Sequence, residues 1–240
     1  MKIRAVIFDV YRTLLDVGPP PADADEQWNA LWLDQLRVPA RISLQEFLVA
    51  CEAVIAREHA SARRAGIPFP EVFWNGVTTE VLPELAELSD RERDDFLFGH
   101  ARLLRSLRLA PGAEETLRAL RDTGTLLGIA SNAQPYTLRE LDEALVPAGL
   151  DRELFTPGLC FWSFEHGFSK PDPHVFRILT AGLGLCGISH SSTLMVGDRI
   201  DNDIEPSLAQ GWQAWHLDSN ACDAMRGGWG RLQEWMKPRI

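Results

Sequence analysis

The chain opens with an uninterrupted apolar run, Ala5-Val6-Ile7-Phe8, that stops at a carboxylate, Asp9. A short, charge-free, partly β-branched run predicts a strand buried on both faces. An acid where such a strand ends lies at the carboxyl edge of a sheet, where open α/β folds bind ligands. The pattern recurs. Thr125 to Ala130 ends at Ser131-Asn132, Gly158 to Trp162 forms a third run, Thr193 to Val196 stops at Gly197-Asp198, and Gln213 to Leu217 forms a fifth. Helical spacing fills the intervals: 113–122, a helix opening at Pro135, one starting at Lys170-Pro171-Asp172-Pro173 with Val175, Phe176 and Leu179 inward, and 204–209. Strands alternating with helices predict an α/β fold with a mainly parallel sheet and right-handed crossovers.

The first crossover is anomalous. A parallel connection needs only about 12 residues, yet this one spans roughly residues 17–124. Val17-Gly18-Pro19-Pro20-Pro21 reads as a stiff linker. Asp23 or Asp25 caps a helix through Arg37, with Trp28, Leu31 and Trp32 at helical spacing. Ser43 with Glu46 forms a capping box, opening a helix with Phe47, Val54 and Ile55 on one face that ends before Gly66-Ile67-Pro68. Two more helices are expected over 71–82 and from Ser89 to Leu107. The expectation is therefore a Rossmann-like core (1–16 and 109–240) with a wholly helical insertion (17–108), hinged beside Asp9 where it can cover a site and exclude water. Trp28, Trp32, Phe69, Phe73 and Trp74 read first as core of the insertion and second as pocket lining.

Composition narrows the function. The 240 residues carry a net charge of −10, which argues against a nucleic-acid or anionic-membrane surface. Any phosphate-handling pocket must then be a local exception, built from a few cations and a metal. Cys51, Cys160, Cys186 and Cys222 lack zinc-binding spacing and read as reduced thiols. With no signal peptide or membrane-length apolar run, cytoplasmic is the expected location.

The strand ends carry Asp9, Ser131-Asn132, and Asp198 followed by Asp203, and Lys170 adds a cation. Singly, Ser131 reads as a helix cap, Lys170 as a solvated lysine and Asp203 as a first-turn acid. Together, at the carboxyl ends of successive β/α units, they resemble the haloacid dehalogenase superfamily of hydrolases. The matching segments are Phe8-Asp9-Val10-Tyr11-Arg12-Thr13-Leu14, Ile129-Ala130-Ser131-Asn132, Ser169-Lys170-Pro171-Asp172-Pro173, and Val196-Gly197-Asp198-Arg199 with Asn202-Asp203. The resemblance implies a helical cap after the first strand, an Asp9 nucleophile, Mg²⁺, and a covalent aspartyl intermediate that water hydrolyses. It further implies metal ligands Asp9, Asp198 and the Tyr11 carbonyl, with Asp203 in the first or second shell. Thr13, Ser131, Asn132 and Lys170 would hold the phosphate of a small phosphorylated metabolite. The chemistry is consistent: a carboxylate attacking a phosphate dianion needs cations to neutralise the charge, and Mg²⁺ prefers oxygen ligands.

One position departs from the phosphatase pattern. Tyr11 stands where family phosphatases carry an aspartate that serves as general acid and base. A tyrosine with an ordinary pKa near 10 substitutes poorly. The superfamily's 2-haloacid dehalogenases do carry Asp-x-Tyr, but lack the metal-binding Gly197-Asp198 arrangement and use a cap arginine, for which Arg37 and Arg41 are candidates. The acidic cluster weighs more heavily, so the expectation is a Mg²⁺-dependent phosphatase-like hydrolase, borrowing an acid from the cap or from Glu165 or His166. The alternatives are a metal-independent 2-haloacid dehalogenase and a phosphate-binding protein without turnover. Asp201 is expected to cap or lie outside the metal shell. His59, His100, His174, His190 and His216 show no ligand spacing, and 227–235 reads as a closing helix or a partner contact.

Overall fold

The computed structural model describes residues 2–220 and 225–240, so Cys222 lies outside the described residues. Six strands form one sheet in the order β5-β4-β1-β6-β7-β8: β1 Ala5–Phe8, β4 Leu126–Ser131, β5 Cys160–Trp162, β6 Thr193–Gly197, β7 Gln213–Leu217 and β8 Arg226–Gly227. Every pairing is parallel. The four residues of β1 are fully buried, and they alternate between two apolar clusters. Val6 and Phe8 face one and Ala5 and Ile7 the other, as the unbroken apolar run requires. Truncating Ile7 to alanine would cost about 2–5 kcal/mol by cavity formation.

β1 lies centrally, with β4 and β6 on either side. Its carboxyl end is therefore a topological switch point, where crossovers leave in both directions and open a crevice. The registers Phe8↔Ile129 and Phe8↔Val196 bring Asp9, Ser131 and Asp198 to one edge.

The insertion holds α1 Ala24–Gln35, α2 Leu44–Arg64, α3 Trp74–Val81 and α4 Asp90–Leu104. Capping boxes are complete at both Ser43/Glu46 and Ser89/Glu92. These helices bury a cluster of their own around Trp28, Trp32, Phe47 and Phe96, whereas Phe69 and Phe73 are exposed. The insertion is not wholly helical. β2 Leu15–Gly18 and β3 Ser106–Leu109 pair antiparallel, forming a two-stranded ribbon at its root. The expected last helix stops at Leu104, and Ser106-Leu107-Arg108-Leu109 alternates exposed with half-buried positions, the period of a strand. The start of α3 also slips past Glu71. Residues 69–71 instead lie extended against 167–169, with Ser169 N–H donating to the Phe69 carbonyl (2.9 Å) and Glu71 N–H to that of Gly167 (3.0 Å).

The remaining helices are α5 Ala113–Asp122, α6 Thr137–Leu145, α7 Pro173–Leu185, α8 Glu205–Ala209 and α9 Trp229–Met236. The tail packs on the core as α9, where Trp229 stacks on Phe8 with ring centroids 6.1 Å apart. Among the described residues no helix is long and apolar enough to cross a membrane.

Candidate active site

Two residues of the loop after β1 face different surroundings. Asp9 is 9% exposed, with its N–H anchored to the Val196 carbonyl at 2.9 Å. Buried Lys170 donates from Nζ to Asp9 Oδ1 at 2.7 Å and to Asp203 Oδ1 at 2.6 Å. Ligand oxygens of Asp9, Asp198 and Asp203 all lie within 4.8 Å of one another. One ammonium thus faces three carboxylates in a crevice of about 620 Å³ that is also lined by Tyr11, Arg12, Asn132, Arg199 and Asn202.

Local structure explains the convergence. Asp203 sits in a single π-helical turn, Ile200–Ile204, a rare form that recurs at functional sites. The turn folds the carboxyl back over the end of β6, where Arg199 N–H donates to Oδ2 at 3.1 Å. A Cβ on Gly197 would come within 2.4 Å of that oxygen, so the position requires glycine. His216 Nε2 donates to the Asp198 carbonyl at 2.9 Å and fixes the loop from β7. The Asn132 amide brackets the main chain of Lys170, accepting from its N–H at 2.7 Å and donating to its carbonyl at 2.9 Å. Asn132 thereby ties the end of β4 to the segment that aims the lysine.

The charges at the site are unevenly matched. Burial, opposed by Lys170 and reinforced by Asp203, raises the Asp9 carboxyl to about 6. Burial and then Asp203 also raise Asp198. Burial would lower Lys170, but Asp9 and Asp203 together hold it above its ordinary value. Asp9 and Asp198 resist ionising, and with Asp203 their carboxyl oxygens form the donor set of a divalent cation with oxygen ligands. The hydroxyls of Thr13 and Ser131 are fully buried and make no hydrogen bond. Such donors are costly unless a ligand completes them.

Tyr11 lines the same crevice, but its phenol turns away from Asp9. It donates to Glu140 Oε2, shares a 2.7 Å hydrogen bond with Thr137 Oγ1 and accepts from Arg105 Nη2 at 2.9 Å. Arg105 also donates to both Glu140 carboxylate oxygens, at 2.9 and 3.0 Å, and stacks 4.5 Å from the Tyr11 ring centroid. Burial, opposed by Arg105 and reinforced by Glu140, pushes the phenol far above its ordinary pKa. It therefore stays protonated near neutral pH.

Other candidates fall elsewhere. Arg41 is held by Glu84 (2.5 Å) and by the Val81 carbonyl, and Arg37 is exposed. Neither lines the crevice, nor do Glu165 and His166, and His166 stacks on Phe161 at 4.5 Å. Asp201 pairs with Arg199 at 2.6 Å. Arg105 and Glu140 carry no motif in the sequence. Their one signal is position, Arg105 lying where helical spacing gives way to strand alternation.

The family model of haloacid dehalogenase-like hydrolases matches residues 3–209. A curated phosphoserine phosphatase of Thermus thermophilus is 31% identical over 171 residues, which cover 70% of this chain and 64% of that protein's length. Two solved structures share the fold. A phosphatase of Thermococcus onnurineus has a TM-score of 0.57 at 22% identity, each chain fully covered. A 2-haloacid dehalogenase of Pseudomonas syringae has a TM-score of 0.58 at 21% identity, with 99% and 100% covered. With a family model spanning most of the chain and the acids converging at one sheet edge, the protein belongs to the haloacid dehalogenase-like hydrolases.

Proposed function

We propose that the protein is a Mg²⁺-dependent phosphatase-like hydrolase of small phosphorylated metabolites, acting in the cytoplasm through Asp9 as nucleophile. The observation that carries this reading is the approach of the Asp9, Asp198 and Asp203 carboxylates to within 4.8 Å, against one lysine. Asp9, Asp198 and Asp203, with the Tyr11 carbonyl, would hold the ion. When bound, Mg²⁺ supplies charge neutralisation that lets an anionic nucleophile approach an anionic phosphoryl group.

The chain's own residues account for the rest. Thr13 and Ser131 offer their unpartnered hydroxyls to non-bridging phosphate oxygens, and Lys170 holds Asp9 in place while adding positive charge. An Asp9 carboxylate oxygen attacks phosphorus, the bond to the leaving oxygen breaks, and an aspartyl phosphate forms. Water then attacks that phosphorus, releasing inorganic phosphate and restoring Asp9. Each half needs a proton transfer, to the leaving oxygen and then from the water. Among the described residues lining the crevice, the only carboxyl groups are the three acids of the cluster. Turnover should therefore favour leaving groups that depart without full protonation. The helical insertion, rooted on the β2–β3 ribbon, serves as the cap. The match to a phosphoserine phosphatase supports phosphate monoesters as substrates.

The Asp9-x-Tyr11 spacing favours a second reading, 2-haloacid dehalogenation without metal. Against it, Arg105 beside Tyr11 is neutralised by Glu140 and not free to accept halide, while three acids would repel an anionic haloacid. The test is hydrolysis of p-nitrophenyl phosphate and a phosphate-ester panel with Mg²⁺ or EDTA, beside chloride release from 2-chloropropionate. The reading expects Mg²⁺-dependent phosphate release that Asp9→Asn reduces by roughly 10⁴-fold or more. Chloride release persisting in EDTA would establish the alternative, and turnover surviving Asp9→Asn would overturn the mechanism.

A further inference from the structure

Arg12 stands in the nucleophile loop between Tyr11 and Thr13, with φ of 59°. The left-handed region is disfavoured for any residue with a Cβ, and glycine occupies it freely. The loop imposes the conformation: Arg12 N–H donates to the Leu15 carbonyl at 2.6 Å and Leu15 N–H to that of Val10 at 2.8 Å. A position suited to glycine thus carries the longest cationic side chain, and outliers of this kind concentrate where function keeps them.

The side chain's surroundings say what it is available for. Arg12 is exposed and lines the crevice with Asp9, Lys170 and Asp198. It is near enough to favour the charged form of Asp198. The other two cations lining the crevice are engaged. Lys170 lies between Asp9 and Asp203, and Arg199 donates to Asp201 from both Nε (3.1 Å) and Nη2 (2.6 Å). Among the described residues lining this crevice, Arg12 is the one cation whose side chain makes no hydrogen bond or salt bridge. The seat for the transferred phosphoryl is furnished from below by Thr13, Ser131 and Lys170, all buried. Arg12 belongs to the open side, where the rest of the ester must lie.

We propose that Arg12 binds a second anionic group on the leaving-group side of the substrate. On the phosphatase reading, on which this inference rests, the preferred substrate is then a phosphate monoester bearing another acid, a carboxylate or a second phosphate. The planar guanidinium fork matches either anion with two parallel hydrogen bonds, which a lysine cannot do.

The experiment compares kcat and KM, with Mg²⁺, for three short esters: phosphoglycolate, a bisphosphate of similar length, and ethyl phosphate, whose tail is uncharged. Wild type and Arg12→Gly are measured side by side, glycine being the substitution that keeps the backbone conformation. The ratio of kcat/KM for an acid-tailed ester to that for ethyl phosphate is expected to fall about 10–100-fold in Arg12→Gly, mostly through KM. Arg12→Lys should recover part of that ratio. The acid whose ratio falls more identifies the group recognised. An unchanged ratio, with both ester classes losing equally or not at all, overturns the inference and leaves the phosphatase reading standing. Absence of Mg²⁺-dependent turnover on every ester by the wild type overturns the phosphatase reading and this inference with it.

Discussion

Asp9 and Tyr11 are two residues apart on one loop, yet their surroundings are opposites. Around Tyr11 the charges close: Arg105 meets Glu140, the phenol donates to the same carboxylate, and Thr137 completes the set. Around Asp9 they do not. Three carboxylates share one ammonium, and two buried hydroxyls have no partner. A network whose opposite charges are paired contributes to stability. Unpartnered hydroxyls beside three carboxylates at a sheet's switch point support the reading of a ligand site. On the proposed reading the loop after β1 divides its labour, Asp9 serving chemistry and Tyr11 tying the loop to Arg105 and Glu140.

The strongest way to break this contrast is to remove Lys170, the cation paired with Asp9 and Asp203. Lys170→Met leaves Asp9 and Asp203 buried without a counter-charge. It is expected to destabilise the fold by about 3–5 kcal/mol, measured by denaturant unfolding, with Mg²⁺ restoring part of the loss. A variant as stable as wild type would mean the acids ionise without help.

Tyr11→Asp moves the closed side toward the open one by supplying the missing acid. For esters with poor leaving groups, kcat is expected to rise by roughly 10²-fold, with a much smaller gain for p-nitrophenyl phosphate. If the new carboxylate is captured by Arg105, the gain will be absent and Glu140 will prove insufficient to hold that arginine.

The insertion's core offers a third contrast. His100 is fully buried among Trp28, Phe47 and Trp74, with both ring nitrogens unpartnered. Burial, aided by Arg105, lowers it from 6.5 to about 3. The folded value lies below the unfolded one, so stability is full above pH 6.5 and declines as pH falls from there toward 3. The expected loss between pH 7 and pH 5 is about 2 kcal/mol. His100→Phe should abolish that slope in pH-dependent melting. A slope that survives would assign the acid sensitivity to other groups.

The smallest effect belongs to the closed network itself. Glu140→Gln keeps the shape but removes the charge that balances Arg105. It should cost about 1–3 kcal/mol and leave Mg²⁺ affinity within roughly twofold of wild type, since Glu140 touches none of the three acids and meets Tyr11 through its phenol, not its carbonyl. A large change in metal affinity would show the two sides of the loop to be coupled.

Much of this was legible before any coordinates, for a physical reason. Buried parallel strands write themselves as charge-free apolar runs, and the residue that ends each run must sit at the sheet edge. Ala5 to Phe8 therefore announced Asp9, and Thr193 to Val196 announced Asp198. The capping boxes at Ser43 and Ser89 marked helix starts because their two reciprocal hydrogen bonds are local. What escaped depends on partners far away in sequence. Ser106–Leu109 becomes a strand only because Leu15–Gly18 is there to pair with it. The phenol of Tyr11 turns from the site because Arg105 and Glu140, 94 and 129 residues distant, receive it. The π turn that delivers Asp203 has no sequence period of its own.

Calorimetric titration of Mg²⁺ into the metal-free protein tests most directly whether the acids of β1 and β6 share one ion. One ion per chain is expected for wild type, with binding lost in Asp198→Ala while the folded state persists by circular dichroism. No heat of binding in the wild type, or undiminished binding in a folded Asp198→Ala, would contradict the account.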